Sequence, residues 1–163
     1  MYAVRLWSVR HARGLNAFYR GFEALLTRFD WLFRACGYER IERPVAAVEK
    51  AVKGLLFDCR MCGQCVLSST GMSCPMNCPK NLRNGPCGGV RDNGHCEVRP
   101  EMRCVWVEAY RGSERIPGGI AAMSLVQLAV DQRQQGHSSW LRVVREKTAP
   151  AASSAPQSKG ATP

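Results

Sequence analysis

A chain of 163 residues, 45% hydrophobic and 22% charged, can build one small folded unit with trailing ends, and its composition argues against wholesale disorder. The formal net charge is +10, and no run reaches the roughly 18 apolar residues that a membrane span needs. Residues 1–53 carry ten Lys/Arg against five Asp/Glu, residues 54–116 eight against six, and the remainder five against two, so the basic excess sits at the ends, where it could meet nucleic acid, an anionic lipid or an acidic protein partner, the last favoured by the cysteine-rich module between them.

The first residues, M-Y-A-V-R-L-W-S-V-R-H-A-R, scatter Arg5, Arg10, His11 and Arg13 where the apolar run of a signal peptide should be. Leu15, Phe18, Tyr19, Phe22, Leu25, Leu26, Phe29, Leu32 and Phe33 recur at steps of three and four, which predicts an amphipathic helix over 15–33 with Gly37 as its stop. An aromatic stripe that dense is core of its own domain, a docking face for a partner's groove, or a membrane-surface or targeting segment. Cys36 stands apart from the other cysteines and reads as a buried, unligated thiol. Pro44 suits a first helical position. A second helix is expected from there to Gly54, with Val45, Val48, Val52 and Leu55 on one face.

The other eight of the nine cysteines fall between 59 and 104: Cys59, Cys62, Cys65, Cys74, Cys78, Cys87, Cys96 and Cys104. The stretch is rich in Gly, Pro and Asn and poor in long apolar runs, so short turns are expected and metal is expected to supply the missing glue. V-R-D-N-G-H-C-E-V reads as a hairpin turning at Asn93-Gly94. Val105-Trp106-Val107 reads as a short strand or the start of a helix through Glu108. Beyond Gly118-Gly119, Ile120, Met123, Val126, Leu128 and Val130 predict a last helix to about Gln135, closed by Gly136. Residues after Thr148 are low in complexity and expected to be disordered.

Three chemistries compete for the thiols. Disulfides require an oxidising compartment, and cysteines two residues apart suit ligation of one centre better than mutual bonding. Zinc uses CxxC pairs as half-sites. Three cysteines at CxxCxxC with a Cys-Pro farther on match the bacterial ferredoxin pattern for a [4Fe–4S] cluster. Cys59, Cys62 and Cys65 supply the triplet, and Cys74-Pro75 and Cys78-Pro79 both offer the Cys-Pro. Metal is favoured, with at least one cluster. Eight thiolates divide into two sets of four. By the ferredoxin analogy Cys78 completes the triplet, leaving Cys74, Cys87, Cys96 and Cys104 for a second cluster, for zinc, or as partly unligated thiols. His95, beside Cys96, is a weaker ligand candidate.

L-F-D-C-R-M-C-G-Q-C-V-L, C-P-M-N-C-P-K-N-L-R-N-G-P-C-G-G, G-H-C-E-V and C-V-W-V-E-A-Y together resemble the C-terminal domain of methylenetetrahydrofolate reductases, which also occurs as a separate MetV-like cysteine-rich accessory subunit. The match runs from about 55 to 111. The resemblance implies a metal-binding subunit that docks on a flavin-containing catalytic subunit, forming a hetero-oligomer in cytoplasmic one-carbon metabolism. It leaves cluster against zinc, and a redox against a structural role, open. The chain itself shows no dinucleotide fingerprint, phosphate loop or Cys–His nucleophile pair, so it is not expected to reduce a folate alone.

The expected fold is therefore a small α+β, metal-stabilised cysteine-rich module with short turns and a hairpin, flanked by amphipathic helices. It divides into a helical region 1–54, the module 55–116, a helix within 117–148 and the tail 149–163. The rival functions are a stand-alone ferredoxin-like carrier and a zinc-ribbon nucleic-acid binder.

Overall fold

A computed structural model describes residues 2–85 and 87–149. Its helices are α1 (Tyr2–Arg10), α2 (Ala12–Arg28), α3 (Asp30–Cys36), α4 (Tyr38–Phe57), α5 (Val105–Ser113), α6 (Gly119–Met123) and α7 (Ser139–Thr148). α1 lies on α4 and α5, and α2 on α7, while α3 and α7 both reach α4. The helices thus form a collar around the irregular stretch 58–104. None is long and apolar enough to cross a membrane.

The expected α+β class is wrong. Among the described residues there is no sheet, only the isolated bridges Val90↔Cys96 and His95↔Arg103. The turn at Asn93-Gly94 does form, with Gly94 at φ +79 and its N–H on Arg91 O at 2.7 Å. No hairpin of strands follows from it. Arg91 donates to His95 O and Glu97 to Gly89 O, but Cys96 already turns away to donate to Met102 O. The cysteines every eight or nine residues bend the chain before a ladder can extend.

The stretch is also less poor in apolar packing than its composition suggests, because it buries apolar side chains of its own. Phe57, Leu67, Met72 and Ile116 form one buried cluster with Ala12 and Cys74. Met102, Val105, Trp106 and Ala109 form another with Cys78, Cys96 and Cys104. What closes both is helix: α1 caps the first side, with Ser8 Oγ donating to Leu56 O at 2.8 Å. α5 fills the second, with Ser73 Oγ donating to Val105 O at 3.0 Å.

Several helices differ from their expected bounds. The stripe over 15–33 is split at Phe29, whose N–H is shared between Leu25 O and Leu26 O. Phe22 packs edge-on to Trp140 at 4.9 Å and Phe33 meets Tyr38 at 6.1 Å, whereas Phe18, Leu25 and Phe29 face solvent. Cys36, expected buried, is exposed at the end of α3. α4 starts at Tyr38 and takes Pro44 in its interior. It runs past Gly54 to Asp58, which caps it in the left-handed conformation.

α4 is also turned over relative to its pattern. Its buried residues are Glu49, Lys53 and Phe57, while Val48, Val52 and Leu55 are exposed. The predicted helix over 120–135 shrinks to the short α6. From 125 the chain is extended, held by Asn84, whose side chain both donates to Gln127 O (2.9 Å) and accepts from Gln127 N–H (2.7 Å). α7 was not foreseen; Ser138 caps it by accepting from Leu141 N–H, and Trp140, Leu141 and Val144 give the inward face. The predicted disordered tail lies almost wholly outside the described residues.

Candidate metal centre

The eight cysteines of the module fall into two groups of four. Cys59, Cys62, Cys65 and Cys74 line one cavity, together with Lys53, Phe57, Met61, Leu67 and Arg83. The space among them, its solvent-facing part included, is about 380 Å³. Cys78, Cys96 and Cys104 lie in the apolar cluster around Trp106, with Cys87 packed against it. The sequence analogy had paired Cys78 with the triplet, and the structure puts Cys74 there instead. The cause is local: Cys74 enters and Cys78 leaves the 3-10 turn Pro75–Asn77, both in extended backbone. That turn is pinned to the end of α4 by Asn77 Nδ2 donating to Phe57 O at 2.9 Å, and its two ends deliver their thiols to different groups.

The first group is built on the C-terminus of α4. Asp58 and Met61 take positive φ (53 and 50), Gly63 follows at φ +71, and the chain coils tightly through Cys59, Cys62 and Cys65. Gly63 is required there, since any Cβ would strike the Gln134 carbonyl. The extended segment beyond α6 lies over this loop, with Gly136 N–H on Met61 O at 2.8 Å and Gln64 Nε2 on Asp131 O at 3.2 Å. In the second group Cys104 is the N-cap residue of α5. That places the amide end of a helix among the thiols.

Two observations fit these groups to an anionic metal centre. Backbone N–H groups donate to the sulfur two residues earlier: Met61 to Cys59 and Gly89 to Cys87, each at 3.3 Å. Such bonds stabilise a sulfur that carries negative charge. Buried donors also lack a partner among the described residues: Nε and Nη1 of Arg83 at the first group and Nε1 of Trp106 at the second. A sulfur-rich anion would satisfy both, and a buried orphan donor is otherwise costly.

Burial, reinforced by neighbouring thiols, pushes Cys59 up to about 11 and Cys74 up to about 12. Thiols so hard to ionise are poor nucleophiles. A metal would displace their protons instead.

No group of three or more His, Cys, Asp or Glu among the described residues has the arrangement that would hold a single metal ion. His95 is turned to the backbone, its Nδ1 2.7 Å from Pro100 O.

A layer of buried charge, which the sequence pattern had hidden, backs the first group. Lys53 and Glu49 are each 1% exposed and paired at 2.7 Å. Lys53 Nζ also donates to Ser139 Oγ (2.7 Å) and Tyr19 Oη (3.2 Å). Burial alone would lower the Lys53 pKa, but Cys65, Tyr19 and Glu49 together raise it, so the ammonium stays charged. Both charges flank the stripe of Val45, Val48, Val52 and Leu55 on α4, and a hydrophobic-stripe reading therefore assigns them to solvent.

The family described as methylene-tetrahydrofolate reductase C terminal matches residues 38–131. No curated protein and no solved structure matches the chain. The matched span takes in α4, all eight cysteines of the two groups and α5. The chain belongs to that family, which ties it to folate one-carbon metabolism.

Proposed function

We propose that this member of the methylene-tetrahydrofolate reductase C-terminal family is an iron–sulfur accessory subunit, which docks on a flavin-bearing reductase and passes electrons to it. The observation that carries the reading is the sorting of eight cysteines into two groups of four, each with N–H donors aimed at sulfur. Cys59, Cys62, Cys65 and Cys74 would hold a [4Fe–4S] cluster, and Cys78, Cys87, Cys96 and Cys104 a second. When bound, such a cluster accepts and gives one electron at a time. The chain's own contribution is to hold the thiolates, to donate hydrogen bonds from Met61 and Gly89, and to keep water off with Phe57, Met61, Leu67 and Trp106. Reduction of a methylene to a methyl group consumes two electrons and two protons, which the partner's flavin would collect and deliver to the folate.

The docking face supported best is the outer side of α4. Val48, Val52 and Leu55 are 57%, 43% and 56% exposed on consecutive turns, and the helix ends at the first cysteine group. An apolar stripe that faces water on a folded chain marks an interaction site. This differs from the stripe Phe18, Phe22, Leu25, Phe29 and Phe33 expected to dock, because Phe22 and Phe33 are engaged within the chain.

The test is anaerobic co-purification of the chain with a flavin-bearing methylenetetrahydrofolate reductase, followed by EPR of the dithionite-reduced complex. The reading expects a cluster signal that decays when methylenetetrahydrofolate is added. A signal that persists while the enzyme turns over with another donor would reject electron transfer.

A further inference from the structure

The buried pair on α4 has a cost without a structural return. Replacing a buried ion pair by apolar side chains is often neutral or stabilising, and α4 has valines to offer. Instead it turns Val48, Val52 and Leu55 outward and brings Glu49 and Lys53 inside. The two charges are not answered alike. The Glu49 carboxylate is absorbed by the start of α7: it accepts from Ser138 Oγ at 2.6 Å, from the Ser139 hydroxyl, and from Trp140 N–H at 3.3 Å. The Lys53 ammonium sits between the rings of Tyr19 and Trp140, 5.3 and 5.2 Å from their centroids. The Glu49 and Lys53 side chains both border the cavity of Cys59, Cys62, Cys65 and Cys74, but it is the ammonium that lies against Cys65. Tyr19, which accepts from Lys53, lies beside Cys65.

We infer that Lys53, held by Glu49, Ser139 and Tyr19 against Cys65, is a positioning residue that raises the reduction potential of the first cysteine group above that of the second. The inference rests on the cluster reading given above. A cation fixed in a low-dielectric wall stabilises the extra electron of the reduced state. The second group has a weaker counterpart: Lys80 lies beside Cys87, but it is exposed and paired with Glu97, so solvent screens it. The pair makes the first group the electron sink of the two, and that group lies at the end of α4, beside the proposed docking face. Electrons entering at the second group would run downhill toward the partner.

The experiment is an EPR-monitored potentiometric titration of the anaerobically purified chain, with iron measured first. The signal of the first group is identified by its loss in Cys74→Ser. The double variant Lys53→Met/Glu49→Gln removes both charges and leaves no unpaired ion. It is expected to weaken that group's electron affinity about tenfold, a midpoint about 59 mV more negative for one electron, with the second group unmoved. Tyr19→Phe keeps the pair, so it reads the effect even where the double variant folds poorly, and it should move the same midpoint in the same direction by less. Full iron with an unmoved first midpoint in both variants would make the pair purely structural and overturn the inference alone. A wild-type chain without iron would overturn both the inference and the reading beneath it.

Discussion

At the scale of single residues, burial decides the chemistry of the thiols. Cys59 and Cys74 are pushed up to about 11 and about 12 by burial and by each other's neighbours, so near neutrality both hold their protons. Metal uptake by the metal-free chain must therefore release protons, and its affinity should climb steadily between about pH 6 and about pH 8. A chelator competition at the two ends of that range reads this, and a flat affinity would contradict it. Lys53 carries a second expectation. Lys53→Met alone strands Glu49 as an unpaired buried carboxylate, and such a loss costs about 3–5 kcal/mol. Urea unfolding should show that drop, with much of it recovered in Lys53→Met/Glu49→Gln. A single variant as stable as the wild type would mean that Glu49 finds water or a proton.

At the scale of elements, α4 is the pivot, since it delivers Cys59, buries Lys53 and displays Val48, Val52 and Leu55. Val48→Glu with Val52→Glu should spare iron content and helicity, because both side chains already face solvent, yet abolish co-purification with the reductase. Phe22→Glu should behave differently, since it removes the contact with Trp140 and costs stability, by about 1–3 kcal/mol. If the valine variant still co-purifies normally, the partner binds elsewhere. α4 also shows where sequence reading stops. A period of three to four identifies a helix, and it did so over both 15–33 and 44–54. It does not say which face turns inward when neighbours such as Ser138, Ser139 and Tyr19 can satisfy buried charge. The extended stretch 125–131 failed for a related reason. Its apolar residues fit a helical period, but Asn84 and Gln64 capture its backbone from far away in the chain. The cysteine set was legible because spacing is local. Its partition was not, because one 3-10 turn decides where Cys74 and Cys78 go.

At the scale of the whole molecule, helices enclose two thiol groups that have apolar packing of their own. Removing metal should therefore leave far-UV circular dichroism largely intact while the loops 58–65 and 87–104 lose protection from proteases. Complete loss of helicity on chelation would make metal the structural glue. The central claim is that each group of four thiols holds a multi-iron cluster. Iron, acid-labile sulfide and zinc per chain, measured on anaerobically purified wild type, Cys74→Ser and Cys36→Ser, test it most directly. The account predicts about eight irons and broad absorbance near about 400 nm in the wild type, about four irons in Cys74→Ser, and no change in Cys36→Ser. A colourless wild type containing zinc and no iron, or a Cys74→Ser chain with its iron undiminished, would contradict it.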